Sequence, residues 1–139
     1  RQDESLIGFI PLVLGARLAP HMASRLIDRL DQGWITDWGP ATERPQSPLY
    51  EADGYWRGPI WAPTTMLLWD GLLRQGHDDK AADIARRFCR LCETSGMAEN
   101  FDALSGAGLR DRAFAWTSAV YLLLSAWLAA RKIQGQDQA

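Results

Sequence analysis

Tyr55-Trp56-Arg57-Gly58-Pro59-Ile60-Trp61-Ala62-Pro63 runs straight into Thr64-Thr65-Met66-Leu67-Leu68-Trp69-Asp70-Gly71-Leu72-Leu73-Arg74-Gln75, and this join organises the reading of the chain. The first part packs two tryptophans, an arginine, a glycine and two prolines where an ordinary loop is small and polar. Tryptophan faces stack on apolar sugar faces, and an arginine fork binds hydroxyls or carboxylates in a fixed plane. Pro63 suits a first helical turn, where its missing N–H is not needed. The segment therefore reads as an aromatic loop entering a helix N-terminus, either as the floor of a pocket or as a packed hydrophobic elbow. The helix it enters, 61–75, is broadly apolar, and Gly76 is placed to end it.

Upstream, residues 5–18 are apolar on almost every side but interrupted by Gly8, Pro11 and Gly15, which predicts a kinked or short helix. Residues 20–30 change character. Met22, Ala23, Leu26, Ile27 and Leu30 make one apolar face, Ser24, Arg25, Asp28 and Arg29 the other, and Pro20 marks the first turn. Residues 31–60 lack periodicity yet hold Trp34, Trp38-Gly39-Pro40 and Tyr50. Aperiodic segments of this length in compact domains are usually functional, and disordered ones are poor in aromatics.

Downstream, residues 78–95 carry the cleanest helical pattern. Ala81, Ile84, Ala85, Phe88, Leu91 and Cys92 form the buried stripe, and Lys80, Asp83, Arg87, Arg90 and Glu93 the wet face. Asp78 and Asp79 are expected to cap this helix and complement its dipole, with Gly96 ending it. A second loop, 97–114, contains Glu99-Asn100-Phe101-Asp102 and Ser105-Gly106-Ala107-Gly108. The last helix, 115–132, is apolar nearly all round until Arg131, with a frayed polar tail expected after it.

Broadly apolar helices starting at 5, 61 and 115 thus alternate with one-faced helices starting at 20 and 78. The apolar helices recur at intervals of 56 and 54 residues. A helix apolar all round must be covered on several sides, and a one-faced helix lies outside it. The pattern predicts an all-α ring of antiparallel α-hairpins with about five helices. Two long loops then return to one end of the inner helices, so Trp61 and Glu99 are expected on the same rim.

Composition narrows the function classes. With 139 residues, 47% hydrophobic and 23% charged, the chain suits one globular domain. A net charge of −2 and no basic run longer than Arg86-Arg87 argue against a nucleic-acid partner. No apolar run reaches the roughly 18 residues that span a bilayer, so no membrane partner is expected. Arg1-Gln2-Asp3-Glu4 does not read as a signal peptide, and the abrupt start suggests that an upstream part has been lost. Cys89 and Cys92 are spaced C-x-x-C, but inside a helix, and neither His21 nor His77 completes a zinc spacing. They read as small packing residues, which permits a reducing compartment such as the cytoplasm. No metal or cofactor is called for.

With both loops in view, the chain resembles the C-terminal part of glycoside hydrolase family 63, the processing α-glucosidases and their bacterial relatives, with trehalases as cousins. The resemblance rests on Ile7-Gly8-Phe9-Ile10-Pro11-Leu12, Tyr55-Trp56-Arg57-Gly58-Pro59-Ile60-Trp61 and Gly71-Leu72 before Gly76. It continues through Glu99-Asn100-Phe101-Asp102, Ser105-Gly106 and Phe114-Ala115-Trp116-Thr117. It implies that residues 1–139 are the C-terminal portion of an (α/α)6-barrel catalytic domain. It further implies an inverting α-glycosidase acting on an α-glucoside-type bond in an oligosaccharide or small glycoside.

By the same resemblance Glu99 is the general base, activating a water opposite a carboxylic acid that stands roughly 6.5–9.5 Å away. Trp61 is the first candidate for the sugar subsite, with Tyr55, Trp56, Arg57 and Gly58 beside it and Asn100 and Phe101 next to the base. Arg57 either binds a hydroxyl or clamps a neighbouring carboxylate. Trp38 is either a pocket wall or a packed elbow. Trp116 either reaches the rim or packs in the core, and Asp102 braces its loop. The family's acid lies in an upstream E-S-G-x-D-type segment absent here, and Asp53, Asp102 and Asp111 do not match it. About two and a half hairpins of six are present, so only the base half of the site is expected and the chain alone should be silent. Self-association, or packing against the missing hairpins, should cover the inner helices. A carbohydrate-binding remnant and a helical-repeat interaction module are the non-catalytic alternatives.

Overall fold

The computed structural model describes residues 4–136. Five helices follow in order: a 3-10 helix at Leu6–Arg17, α1 at Pro20–Leu30, α2 at Ala62–Arg74, α3 at Asp78–Ser95 and α4 at Ala115–Gln136. The 3-10 helix packs on α2, and α2 in turn touches α4; α1 lies on the 3-10 helix, and α3 lies across α2 and α4. Three broadly apolar inner helices and two one-faced outer helices are the arrangement the periodicity demands.

Poorer hydrogen-bond geometry usually keeps 3-10 segments short, yet the first inner helix runs for 12 residues. Packing supports it. Gly71 of α2 lets the two backbones meet, since a Cβ there would lie 2.9 Å from Leu12 Cβ and 3.1 Å from the Leu12 carbonyl carbon. Gln75 Nε2 donates to the carbonyls of Leu12 and Gly15, at 3.1 Å each. Gly15 breaks the helix at φ 55, which is the predicted kink.

Helix α3 keeps its predicted bounds and buries its whole stripe, Phe88 and Leu91 completely. Its start differs. His77 holds the N-cap position without a side-chain cap, while Asp78 and Asp79 stand in the first turn. They complement the dipole but do not cap, and Asp79 accepts from Arg131 at 2.7 Å. Two other expectations change. Met22 is 49% exposed, because α1 packs chiefly on the 3-10 helix and that contact needs only Ala23, Ile27 and Leu30. The last helix also continues to Gln136, past its expected end at 132.

Both long loops are fastened. Trp34 is buried, edge-on to Phe9 at 5.0 Å, and its Nε1 donates to the Glu4 carbonyl at 2.7 Å. Arg44 lies over the same indole and grips the Glu4 carboxylate through two bonds of 2.6 and 2.7 Å. The second loop folds into a ladder that periodicity could not show, β1 at Asn100–Phe101 antiparallel to β2 at Gly108–Leu109. Ile60 and Phe101 exchange backbone bonds of 2.7 and 3.0 Å, which ties the first loop to the second.

Candidate active site

The rim is assembled where α2 and α4 begin. Glu99 directly precedes β1, and its N–H donates to the Asp111 carbonyl at 2.7 Å. The start of α4 holds the same stretch from the other side. Thr117 Oγ1 donates to the Ala98 carbonyl at 2.7 Å, and Trp116 Nε1 to the Glu99 carbonyl at 3.4 Å. The backbone of Glu99 is thereby fixed, while its side chain stays half-buried. Among the described residues no side chain bonds or pairs with its carboxylate.

An aromatic cluster adjoins it. Trp61 sits edge-on to Trp116 at 5.5 Å, and Trp116 is tilted against Phe114 at 4.9 Å. Trp56 stacks flat on Trp61, with centroids 4.1 Å apart and planes 14° apart. Tyr55 stands edge-on to both, at 5.8 and 4.9 Å. Trp116 therefore reaches the rim, and through it Trp61 and Glu99 share one end of the helices.

Which faces are open differs from the sequence expectation. Trp61 is fully buried, because Trp56 covers one face and its Nε1 is taken by the Tyr55 carbonyl at 2.7 Å. The open aromatic surface belongs to Trp56 and Tyr55, 38% and 47% exposed. Asn100 and Phe101 are also sealed. The extended chain at Phe101 pairs with Ile60 on one edge and Gly108 on the other, which sends its ring onto Phe88 in the core. Neither amide atom of Asn100 has a hydrogen-bond partner among the described residues.

The neighbouring residues have plain structural roles. Gly58 is buried at φ 156, and a Cβ there would meet the Glu51 carbonyl oxygen at 2.1 Å. Arg57 clamps a carboxylate, Glu51, at 2.9 Å, with both side chains more than half exposed. Trp38 is a packed elbow on the outer side, under Arg90 and against Gly106, where a Cβ would fall 2.5 Å from the indole. A concavity of about 810 Å³ lined by Asp37, Trp38, Arg87 and Arg90 lies on that outer face of α3. Two of the three arginines that line it are engaged, Arg87 with Asp83 and the Thr36 carbonyl, Arg90 with the Asp37 carbonyl.

Asp102 braces its loop as expected, accepting from Leu104 N at 2.8 Å and from Ser105 Oγ at 2.9 Å. Tyr50, which the sequence did not single out, packs its ring beside Gly58. Its buried hydroxyl faces Asp102 without a hydrogen bond of good geometry. Burial first, then the Asp102 charge, push its pKa up to about 12. Arg110 was also not singled out, because an arginine in a polar loop carries no local signal. Its guanidinium bonds Asp53 Oδ1 at 2.6 Å and lies 5.2 Å from the centre of the Tyr55 ring. Cys89 and Cys92 are free, buried in the α3 stripe, and burial raises them to about 11 and about 12.

Inner helices covered by outer ones, with a carboxylate and aromatics where the inner helices begin, form an arc of an (α/α) toroid of the kind glycosidases use. The chain belongs to the mannosylglycerate hydrolase MGH1-like glycoside hydrolase family, whose model matches residues 1–117. It is 32% identical over 123 residues to mannosylglycerate hydrolase MGH1 of Selaginella moellendorffii, covering 87% of this chain and 24% of that protein. It is likewise 32% identical over 124 residues to the mannosylglycerate hydrolase of Thermus thermophilus, covering 83% and 28%. The crystal structure of a family 63 mannosylglycerate hydrolase from Thermus thermophilus with Tris superposes with a TM-score of 0.82 at 28% identity, over 89% of this chain and 30% of that one. Neutral trehalase Nth1 of Saccharomyces cerevisiae shares the fold, with a TM-score of 0.73 at 22% identity over 98% and 26%. The expected family and its trehalase cousins are thus both found. The chain spans about a quarter of the length of the curated relatives it matches.

Proposed function

We propose that this chain forms the C-terminal, general-base part of an (α/α)6-barrel glycosidase that cleaves a small α-glycoside with inversion. Glu99 accepts a proton from a water, which then attacks the anomeric carbon on the face opposite the leaving group. A carboxylic acid elsewhere in the domain protonates the departing oxygen, and inversion requires the gap between the two carboxyls to admit that water. The observation that carries this reading is the Glu99 carboxylate, unpartnered among the described residues and held on a backbone that Trp116 ties to the aromatic cluster whose exposed members are Trp56 and Tyr55. Trp56, with Tyr55 beside it, supplies the stacking surface, and Trp61 backs it from below.

The substrate reading shifts with the relatives. They are named mannosylglycerate hydrolases, and the crystallised Thermus thermophilus enzyme has been seen with glucose and with Tris and D-glycerate. Mannosylglycerate is therefore the first substrate to test, ahead of an α-glucoside. The test is Glu99→Gln in the complete enzyme, which keeps the shape and removes the base. Turnover should fall about 10²- to 10⁴-fold with the fold intact, and wild type should release the inverted anomer as read by NMR. Near-normal turnover in Glu99→Gln ends the assignment.

A further inference from the structure

We propose that Arg110 is a positioning residue, locking the turn that carries Tyr55 and Trp56 onto the stretch that carries Glu99. This role rests on the reading of Glu99 as the base. Among the described residues, Tyr55 at φ 60 and Arg110 at φ 62 are the non-glycine residues held at positive φ. They belong to different loops, and they touch. The Arg110 guanidinium lies 5.2 Å from the centre of the Tyr55 ring while bonding Asp53 Oδ1 at 2.6 Å and the Asp53 carbonyl at 3.3 Å.

Neither residue is of a type that adopts this backbone readily, so local sequence does not account for either. Strain of this kind persists only where the surroundings over-determine it, and it clusters at functional sites. An exposed ion pair returns less than two such residues cost, so stability alone does not explain the arrangement.

The connections on either side give the reason. On the Arg110 side, Leu109 is in register with Asn100, and the Asp111 carbonyl takes the Glu99 N–H at 2.7 Å. On the Tyr55 side, its carbonyl takes Trp61 Nε1 at 2.7 Å, and the next residue is the stacked Trp56. One guanidinium therefore joins the base to the aromatic face. A lysine could keep the Asp53 pair but cannot lie flat over Tyr55.

Arg110→Gly relieves the backbone and removes the clamp. In the 139-residue chain the readout is the circular-dichroism couplet of the Trp56–Trp61 stack, defined as the difference between wild type and Trp56→Phe. We expect Arg110→Gly to lose about half of that couplet or more while helical ellipticity is retained, since Trp56 is carried on the turn that Arg110 clamps. In the complete enzyme, kcat should fall about tenfold or more, as displacement of a reacting group by about an ångström does. If Arg110→Gly does not fold, Arg110→Lys decides on the same two readouts, with smaller losses of both expected. An unchanged couplet, or a lost couplet with unchanged kcat, overturns the proposal. The Glu99 assignment fails separately, through full turnover in Glu99→Gln, and that result leaves the couplet untouched.

Discussion

Gly58→Ala tests whether the central turn is set by backbone geometry. Its φ of 156 lies in a region that only glycine occupies comfortably, which costs an alanine about 1–3 kcal/mol. The new Cβ would fall 2.1 Å from the Glu51 carbonyl oxygen and 2.9 Å from its carbon. Both are backbone atoms, so no rotamer change relieves the overlap, and forced overpacking costs about 1–3 kcal/mol more. If the turn moves instead, it loses the buried Thr42 hydroxyl, which accepts from Gly58 N at 3.1 Å and donates to the Pro59 carbonyl at 2.8 Å. Each of those bonds contributes about 1 kcal/mol. We expect a total loss of roughly 2–6 kcal/mol, a large part of the 5–15 kcal/mol that holds a typical domain together. Urea unfolding followed by tryptophan fluorescence measures it, with a lowered midpoint and unchanged slope. Gly8→Ala is the control, since no atom lies within 4 Å of a Cβ there, and it should stay within about 0.5 kcal/mol of wild type. A Gly58→Ala chain within about 1 kcal/mol of that control refutes the steric argument.

Two further outcomes follow from burial. Cys89 and Cys92 ionise near 9.0 when unperturbed but only near about 11 and about 12 in the fold. Their stabilising contribution is therefore complete below about pH 9 and is lost as pH rises, because the unfolded chain then binds fewer protons. Each thiol should remove on the order of 1.4 kcal/mol per pH unit up to its folded value. Urea titrations at about pH 8 and about pH 10 read that slope, and Cys89→Ala with Cys92→Ala should flatten it; an equally steep double variant refutes the cause. The 139-residue chain should also self-associate at micromolar concentration. Ile7 and Leu14 on the 3-10 helix and Leu122 and Leu123 on α4 are 65%, 50%, 65% and 43% exposed, and apolar area left in water costs about 25 cal/mol per Å². Sedimentation velocity should show more than a monomer, and Leu122→Lys should reduce it; a clean wild-type monomer sinks the expectation.

Periodicity alone determined the helices and their layers. The stripe from Ala81 to Cys92 specified α3 to the residue, and the recurrence of all-round apolar helices at 5, 61 and 115 separated inner from outer. Burial repeats with the 3.6-residue turn, so a helix states in its own sequence which side is covered. The two site loops were legible from residue types and from their place at the ends of the inner helices, and the family resemblance singled out Glu99 within them.

What tertiary structure decided is which surface of each loop residue faces outward. Trp61 was the first candidate for the sugar face, but the parallel Trp56 covers it, and the open face is one ring further out. Trp38 was as good a pocket wall as an elbow until Gly106 and Arg90 closed on it from the second loop and from α3. Arg110 had no local signal because its two partners, Asp53 and Tyr55, lie in the other loop. A loop has no period to announce its buried side. Its exposure is set by contacts between segments far apart in the chain, and these exist only once the helices have brought both loops to the same rim.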